Sequence, residues 1–171
     1  MTSSYPYNES RNYTFMFDPQ DLRGPLTKVL GCHNNILEYL KKNDKNFSGF
    51  LHIIKTAMME DIFAQPQFMR TVFIPSNEYL NIDSIKNIDP GSARSIINFS
   101  MLQRSIDKEL LTSSPAAYFI TEYKPLPQLL VTNISGVTQI NSCATIIDFD
   151  IKLGNGTIHI IDRPLVPYTI I

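Results

Sequence analysis

The sequence predicts an α+β fold, with helices in the first half of the chain and strands in the second. Up to about residue 97, apolar residues recur at the three- and four-residue spacing of amphipathic helices. Beyond residue 115, alternating apolar segments are separated by turn residues, which is the pattern of strands. The 171 residues, 43% of them hydrophobic, are enough for one domain with its own core.

The helical patterns begin after residue 27. One or two short helices, interrupted near residues 31–35, are predicted from Val29, Leu30, Ile36, Leu37 and Leu40. Asp89-Pro90 predicts another helix because aspartate caps a helix and proline suits its first position. Between them, one longer helix is predicted from an apolar stripe at helical spacing, formed by Phe47, Phe50, Leu51, Ile54, Met58 and Ile62. Ser76 is expected to start a further helical turn.

The strands are predicted from β-branched and aromatic segments between turn signals. Residues 71–74 form such a run, which Pro75 closes. The later candidate strands are residues 117–122, 128–134, 137–140, 144–151 and 157–162. Residues 133–136 and 154–156 are predicted turns, the second with positive φ at Asn155 and Gly156.

Residues 1–26 differ in composition from the rest and are predicted to form an N-terminal arm, with the domain at 27–171. Tyr13, Phe15 and Phe17 alternate with other residues as in a strand, and few aliphatic residues surround them. Three aromatic side chains on one face indicate a binding element that adds to a sheet edge of a neighbouring chain. The alternative is that the arm folds back on its own domain.

Composition and motif spacing argue against several functional classes. A net charge of −1 without charged blocks disfavours a nucleic-acid partner, and no apolar run has the length of a membrane span. His33, His52 and His159 lie far apart and match no metal-ligand spacing. No nucleophile or phosphate-loop motif accompanies them, so we expect no enzyme, no cofactor and no metal, and a structural role for His159.

Cys32 and Cys143 are expected to be buried free thiols, since a domain of this size needs no disulfide. The alternative is one disulfide between them. Six Asn-x-Ser/Thr sequons are present, beginning at Asn8, Asn12, Asn46, Asn98, Asn133 and Asn155. Sequons matter only in a secreted chain, and the first thirty residues show no secretory signal. We therefore interpret the sequons as a consequence of composition.

Residues 155–167, NGTIHIIDRPLVP, and residues 71–77, TVFIPSN, resemble the two motifs of the fasciclin domain, a family of extracellular adhesion modules. The first of these segments resembles the closing motif of the family. Residues 71–77, TVFIPSN, resemble its other motif, and a helix around Phe50 precedes them as in the family. The resemblance spans roughly residues 29–167. It implies one fasciclin-like domain, a wedge of short strands with several helices packed on it, and a non-catalytic role in binding proteins or in adhesion.

The resemblance also suggests one recognition site. In some fasciclin domains an Asp-Ile pair shortly before the closing motif contacts integrins, and Asp150-Ile151 occupies that position here. The alternative is that residues 147–151 form an ordinary half-buried strand with Asp148 and Asp150 facing solvent. The family's adhesion motif after the middle helix usually contains a histidine, whereas residues 98–101 contain none.

A second function is compatible with the same scaffold. Twenty-two isoleucines and 13 asparagines against six alanines are typical of an AT-rich genome. A family member without a visible signal or anchor would suit a minor capsid or other virion protein of a large DNA virus. In that case the domain and the arm would make assembly contacts. An extracellular location and a virion are thus both open.

Overall fold

The structure, a computed structural model, describes residues 35–125 and 127–167. The predicted arm at residues 1–26, with Tyr13, Phe15 and Phe17, lies outside the described residues, as does Cys32. The boundary after residue 26 therefore stays a prediction.

Six α-helices lie in the described part of the chain. They are α1 (Ile36–Lys42), α2 (Asp44–Thr56), α3 (Glu60–Ala64), α4 (Ile82–Ile85), α5 (Pro90–Phe99) and α6 (Lys108–Leu111), with a 3-10 turn at Asn77–Tyr79. The start of α5 is as predicted, since the Asp89 side chain accepts a hydrogen bond from the main-chain N–H of Ser92 at 2.9 Å. None of these helices is long and apolar enough to cross a membrane.

The predicted long helix through Ile62 is wrong beyond Thr56. Met58 has a left-handed backbone, φ 57°, and its side chain is 76% exposed. Its N–H donates to the carbonyl of Lys55, and the N–H of Met59 donates to that of Ile54, which is the Schellman ending of a helix. The chain therefore turns, and Met59 is buried where the periodicity had placed Met58.

Seven strands form one sheet. They are β1 (Arg70–Pro75), β2 (Met101–Leu102), β3 (Ala116–Ile120), β4 (Gln128–Ile134), β5 (Val137–Ile140), β6 (Ala144–Leu153) and β7 (Gly156–Ile161). Their order across the sheet is β2-β1-β7-β6-β5-β4-β3. Strands β1 and β7 run parallel and the other neighbours run antiparallel. The two motif segments thus form adjacent strands of one domain, as the resemblance implied.

The ends of this sheet approach each other. Leu102, in β2, forms a single bridge with Thr121, just after β3. The N–H of Gln103 donates to the carbonyl of Ile120, and that of Glu122 to the carbonyl of Met101. The sheet therefore curves into the predicted wedge, and the two edge strands touch at this one place.

Two apolar clusters fill the domain on opposite faces of β1 and β7. Val72, Ile74, Ile158 and Ile160 pack against the helices, while Phe73, on the opposite face of β1, points into the wedge. Strands covered on both faces are expected to be apolar throughout, as β1 and β7 are. Ile158 and Ile160 therefore share one face of β7.

Two corrections concern the second half of the chain. Residues 147–151 are not a regular half-buried strand, because two β-bulges shift the pairing of β6 with β7 between Ile146 and Ile151. As a result Ile147 is 48% exposed and Ile146 is buried. Cys143 is a free thiol, as predicted, but it is exposed and not buried.

Candidate functional site

The first family motif fixes the sheet to the longest helix through one side chain. Asn77 Oδ1 accepts a hydrogen bond from the N–H of Gly49 in α2 at 2.8 Å, and its Nδ2 donates to the Lys45 carbonyl and to Ser48 Oγ. A Cβ at Gly49 would lie 2.7 Å from Leu80 Cδ1, so a larger residue here would require the Leu80 side chain to move. Asn77 therefore acts in the scaffold.

The closing motif begins with a second asparagine of the same kind. Asn155 is buried, its Oδ1 accepts from the N–H of Ile36 at 2.9 Å, and its Nδ2 donates to the carbonyls of Phe63 and Gln65 at 2.9 Å each. The predicted positive φ is found at Gly156, φ 158°, and not at Asn155. A sugar on Asn155 would be incompatible with these bonds in the folded chain.

His159, in the same motif, is buried and fully hydrogen-bonded. Its Nδ1 accepts from the main-chain N–H of Asp150 at 3.1 Å, and its Nε2 lies 2.8 Å from the carbonyl oxygen of Ile106. Burial lowers the pKa of His159, and the contact with Ile106 and the carboxylate of Asp150 oppose this. The neutral ring with its proton on Nε2 satisfies both partners, so His159 is a structural residue.

Asp150 lies at the surface end of this arrangement, within the bulged part of β6. Its backbone is left-handed, φ 62°, and its side chain is 34% exposed. One carboxylate oxygen, Oδ1, accepts a hydrogen bond from the N–H of Lys108 at 2.8 Å, at the start of α6, and lies 4.0 Å from Nδ1 of His159. The carboxylate is thus held by α6 and the main chain of Asp150 by β7, while part of the carboxylate still faces solvent.

Ile151, the second predicted recognition residue, has a different environment. Its side chain is half-buried and packs against the cluster under the helices. Beside the site, Lys108 Nζ lies 5.0 Å from the ring centre of Phe149, a cation–π contact. Asp150 and Ile151 therefore contact different parts of the domain, and Lys108 contacts both the Asp150 carboxylate and the ring of Phe149.

The contact between Asp150 and Lys108 could not be found from the sequence, because 42 residues separate them. The one available signal was Asp107, which caps α6 by accepting from the N–H of Leu110 at 3.0 Å and so marks a helix start. No residue pattern predicts that α6 contacts β6.

Neither histidine among the described residues belongs to a group of metal ligands. Within residues 35–125 and 127–167, no three His, Cys, Asp or Glu side chains are grouped as a metal site requires. The Nε2 of His52 is buried and lacks a hydrogen-bond partner in the described part of the structure. The ring of His159 is held by two main-chain groups, neither of which is a nucleophile.

Comparison with known proteins decides the family. A model of the fasciclin domain matches residues 45–167, which is most of the chain and includes both motifs. The chain belongs to the fasciclin family. Adhesion and protein-binding modules are known in this family, and membership supports a non-catalytic role for the chain.

A solved structure gives a related match. It is a FAS1 domain pair from the insect cell adhesion molecule fasciclin I, 25% identical, with a TM-score of 0.49. The match covers 70% of this chain and 45% of that chain, so this fasciclin chain spans less than half of that structure's length. No curated protein matches the chain. Neither match supports the alternative of a virion protein.

Proposed function

We propose that this chain is a non-catalytic protein-binding module of the adhesion type, and that it presents Asp150 to a protein partner. The observation that carries the proposal is membership of the fasciclin family over residues 45–167. The motif asparagines Asn77 and Asn155 hold strands to helices through buried or partly buried hydrogen bonds. A partner is therefore expected to contact residues outside them, and Asp150 is charged and partly exposed.

The surroundings of Asp150 suit recognition. Its main chain is tied to His159 and its Oδ1 to the N–H of Lys108, so little side-chain freedom is left to lose on binding. A preorganised carboxylate can accept a charge-assisted hydrogen bond from a basic residue of the partner, or can act as a ligand to a metal ion held by the partner. In this proposal Ile151 anchors the strand to the core, and its exposed part contributes a small apolar contact beside the carboxylate.

Cell attachment to surfaces coated with the full chain tests this proposal. Asp150→Asn removes the charge and keeps an oxygen for the N–H of Lys108, whereas Asp148→Asn on the same strand is the matched control. We expect attachment to the wild type, an unchanged control, and a loss of about threefold or more for Asp150→Asn, in line with one charged contact. No attachment to the wild type, or equal attachment to both variants, would contradict the proposal.

A further inference from the structure

Strand β3 has a free edge. The N–H of Asn133 donates to the Pro115 carbonyl and that of Thr121 to the Pro127 carbonyl, so odd-numbered residues direct their main-chain groups toward β4. The even-numbered residues of β3 therefore direct theirs away from the sheet. The carbonyl of Ile120 accepts a hydrogen bond from the N–H of Gln103. The main-chain N–H and C=O of Tyr118 therefore lie at the centre of the open edge.

This edge lacks three of the devices that keep strands apart, namely a charge, a proline and a bulge. Residues Ala116–Ile120 include no charge and no proline, and their pairing with β4 is continuous without a bulge. On the outer face, Tyr118 is 64% exposed and Ile120 is 46% exposed. An uncovered apolar edge of this kind is a template for pairing with a further strand.

A cleft of about 490 Å³ runs beside the edge. The segment that follows β2 lines it on one side, with Gln103 and Arg104, and β3 lines it on the other, with Tyr118 and Ile120. Arg104 is exposed and has no ion-pair partner among residues 35–125 and 127–167. The cleft therefore suits an extended segment that is apolar along its length and carries a carboxylate near Arg104.

Outside the described residues, the sequence contains a segment with that chemistry. Residues 12–17 are uncharged and include Tyr13, Phe15 and Phe17 in alternation, and Asp18 follows directly. The residues between Asp18 and the first described residue, Asn35, can span about 55 Å when extended, which is enough to reach a neighbouring molecule.

We propose that residues 12–18 of a second copy of this chain bind in the cleft as an added strand on β3. The main-chain N–H and C=O of Tyr118 pair with the added strand. The aromatic residues of the segment lie beside Tyr118 and Ile120 on the outer face, and the carboxylate of Asp18 pairs with Arg104. Main-chain pairing supplies the affinity, and the ion pair selects the register of the added strand.

Sedimentation velocity of the full chain over a concentration series tests the proposal. We expect self-association, weakened about tenfold or more by Tyr118→Pro, which removes the central N–H and places a ring on the edge. Tyr118→Ala is the matched control, because it shortens the side chain and keeps the N–H; we expect it to weaken association about threefold or less. A chain that stays monomeric, or a Tyr118→Pro variant that associates like the wild type, would overturn the proposal.

A charge exchange keeps the test decisive if circular dichroism shows that Tyr118→Pro does not fold. Arg104→Glu and Asp18→Lys should each weaken association about threefold to tenfold, because each places like charges together. The double variant should return to within about twofold of the wild type. Failure of the double variant to recover would show that these residues do not meet, and the assigned occupant would then be wrong.

Discussion

The main-chain N–H of Asp150 donates a hydrogen bond to Nδ1 of His159 across strands β6 and β7, at 3.1 Å. The other ring nitrogen is 2.8 Å from the carbonyl oxygen of Ile106 and donates to it. A proton on Nδ1 would face the N–H of Asp150 and break the first bond. In this chain a neutral His159 therefore holds the bulge that contains Asp150.

We expect the free energy of unfolding to decrease as the pH falls below about 6.5. Burial lowers the pKa of His159 in the folded chain, so the unfolded chain takes up the proton first. The stabilisation is therefore complete above the unfolded pKa and is lost as the pH falls toward the folded pKa. Urea denaturation at about pH 7.5 and about pH 5.5 measures this, with His159→Gln as the comparison. An equal loss of unfolding free energy in the wild type and in His159→Gln would exclude His159 as the source of the pH dependence.

Asn155→Ala is expected to destabilise the domain by about 3 kcal/mol. The substitution removes three hydrogen bonds and leaves the N–H of Ile36 and two carbonyls without partners in the interior, at about 1 kcal/mol for each bond. Asn46→Ala is the matched control, because Asn46 also starts a sequon but is exposed on α2, and it should change stability by less than about 0.5 kcal/mol. Equal effects in chemical denaturation would refute the structural role of Asn155.

Met58→Gly is expected to stabilise the domain by about 0.5–1 kcal/mol. Met58 has a left-handed backbone at the end of α2, where glycine has no Cβ penalty, and its exposed side chain gives little packing to lose. Thermal unfolding followed by circular dichroism should show a higher midpoint. A lower midpoint would mean that the methionine side chain contributes packing that outweighs the backbone strain.

Thiol titration of denatured, unreduced protein is expected to find two free thiols, from Cys32 and Cys143. In the native protein Cys143 should react readily, because it is exposed, and Cys143→Ser should abolish that reaction without changing the fold. A count of zero in the denatured wild type would indicate a disulfide and an oxidising compartment.

Much of the fold follows from local sequence patterns. Strands β4 and β5 have the predicted bounds, and the cap and start of α5 are as expected. These elements are set by alternation, turn residues and caps, all of which act within a few residues of the chain. The strand pattern at residues 71–74 likewise extends only by Arg70 and Pro75 in the structure.

The remaining features depend on contacts between distant residues. The parallel pairing of β1 with β7 joins Arg70 to Gly156, and no periodicity encodes such a pair. The bulges of β6 are shifts in the register of its pairing with β7. The alternation of residues within β6 alone does not predict such shifts. The role of Asn155 was missed for the same reason, since its partners lie in α1 and after α3.

The most direct test of the account is to measure the stability and the cell attachment of Asp150→Asn on the same preparation. The amide keeps an acceptor for the N–H of Lys108, so we predict a loss of stability of less than about 1 kcal/mol, with attachment reduced about threefold or more. Full attachment by a folded Asp150→Asn variant would contradict a recognition role for Asp150. The recognition role would also be contradicted if attachment fell only by the fraction of the variant that is unfolded.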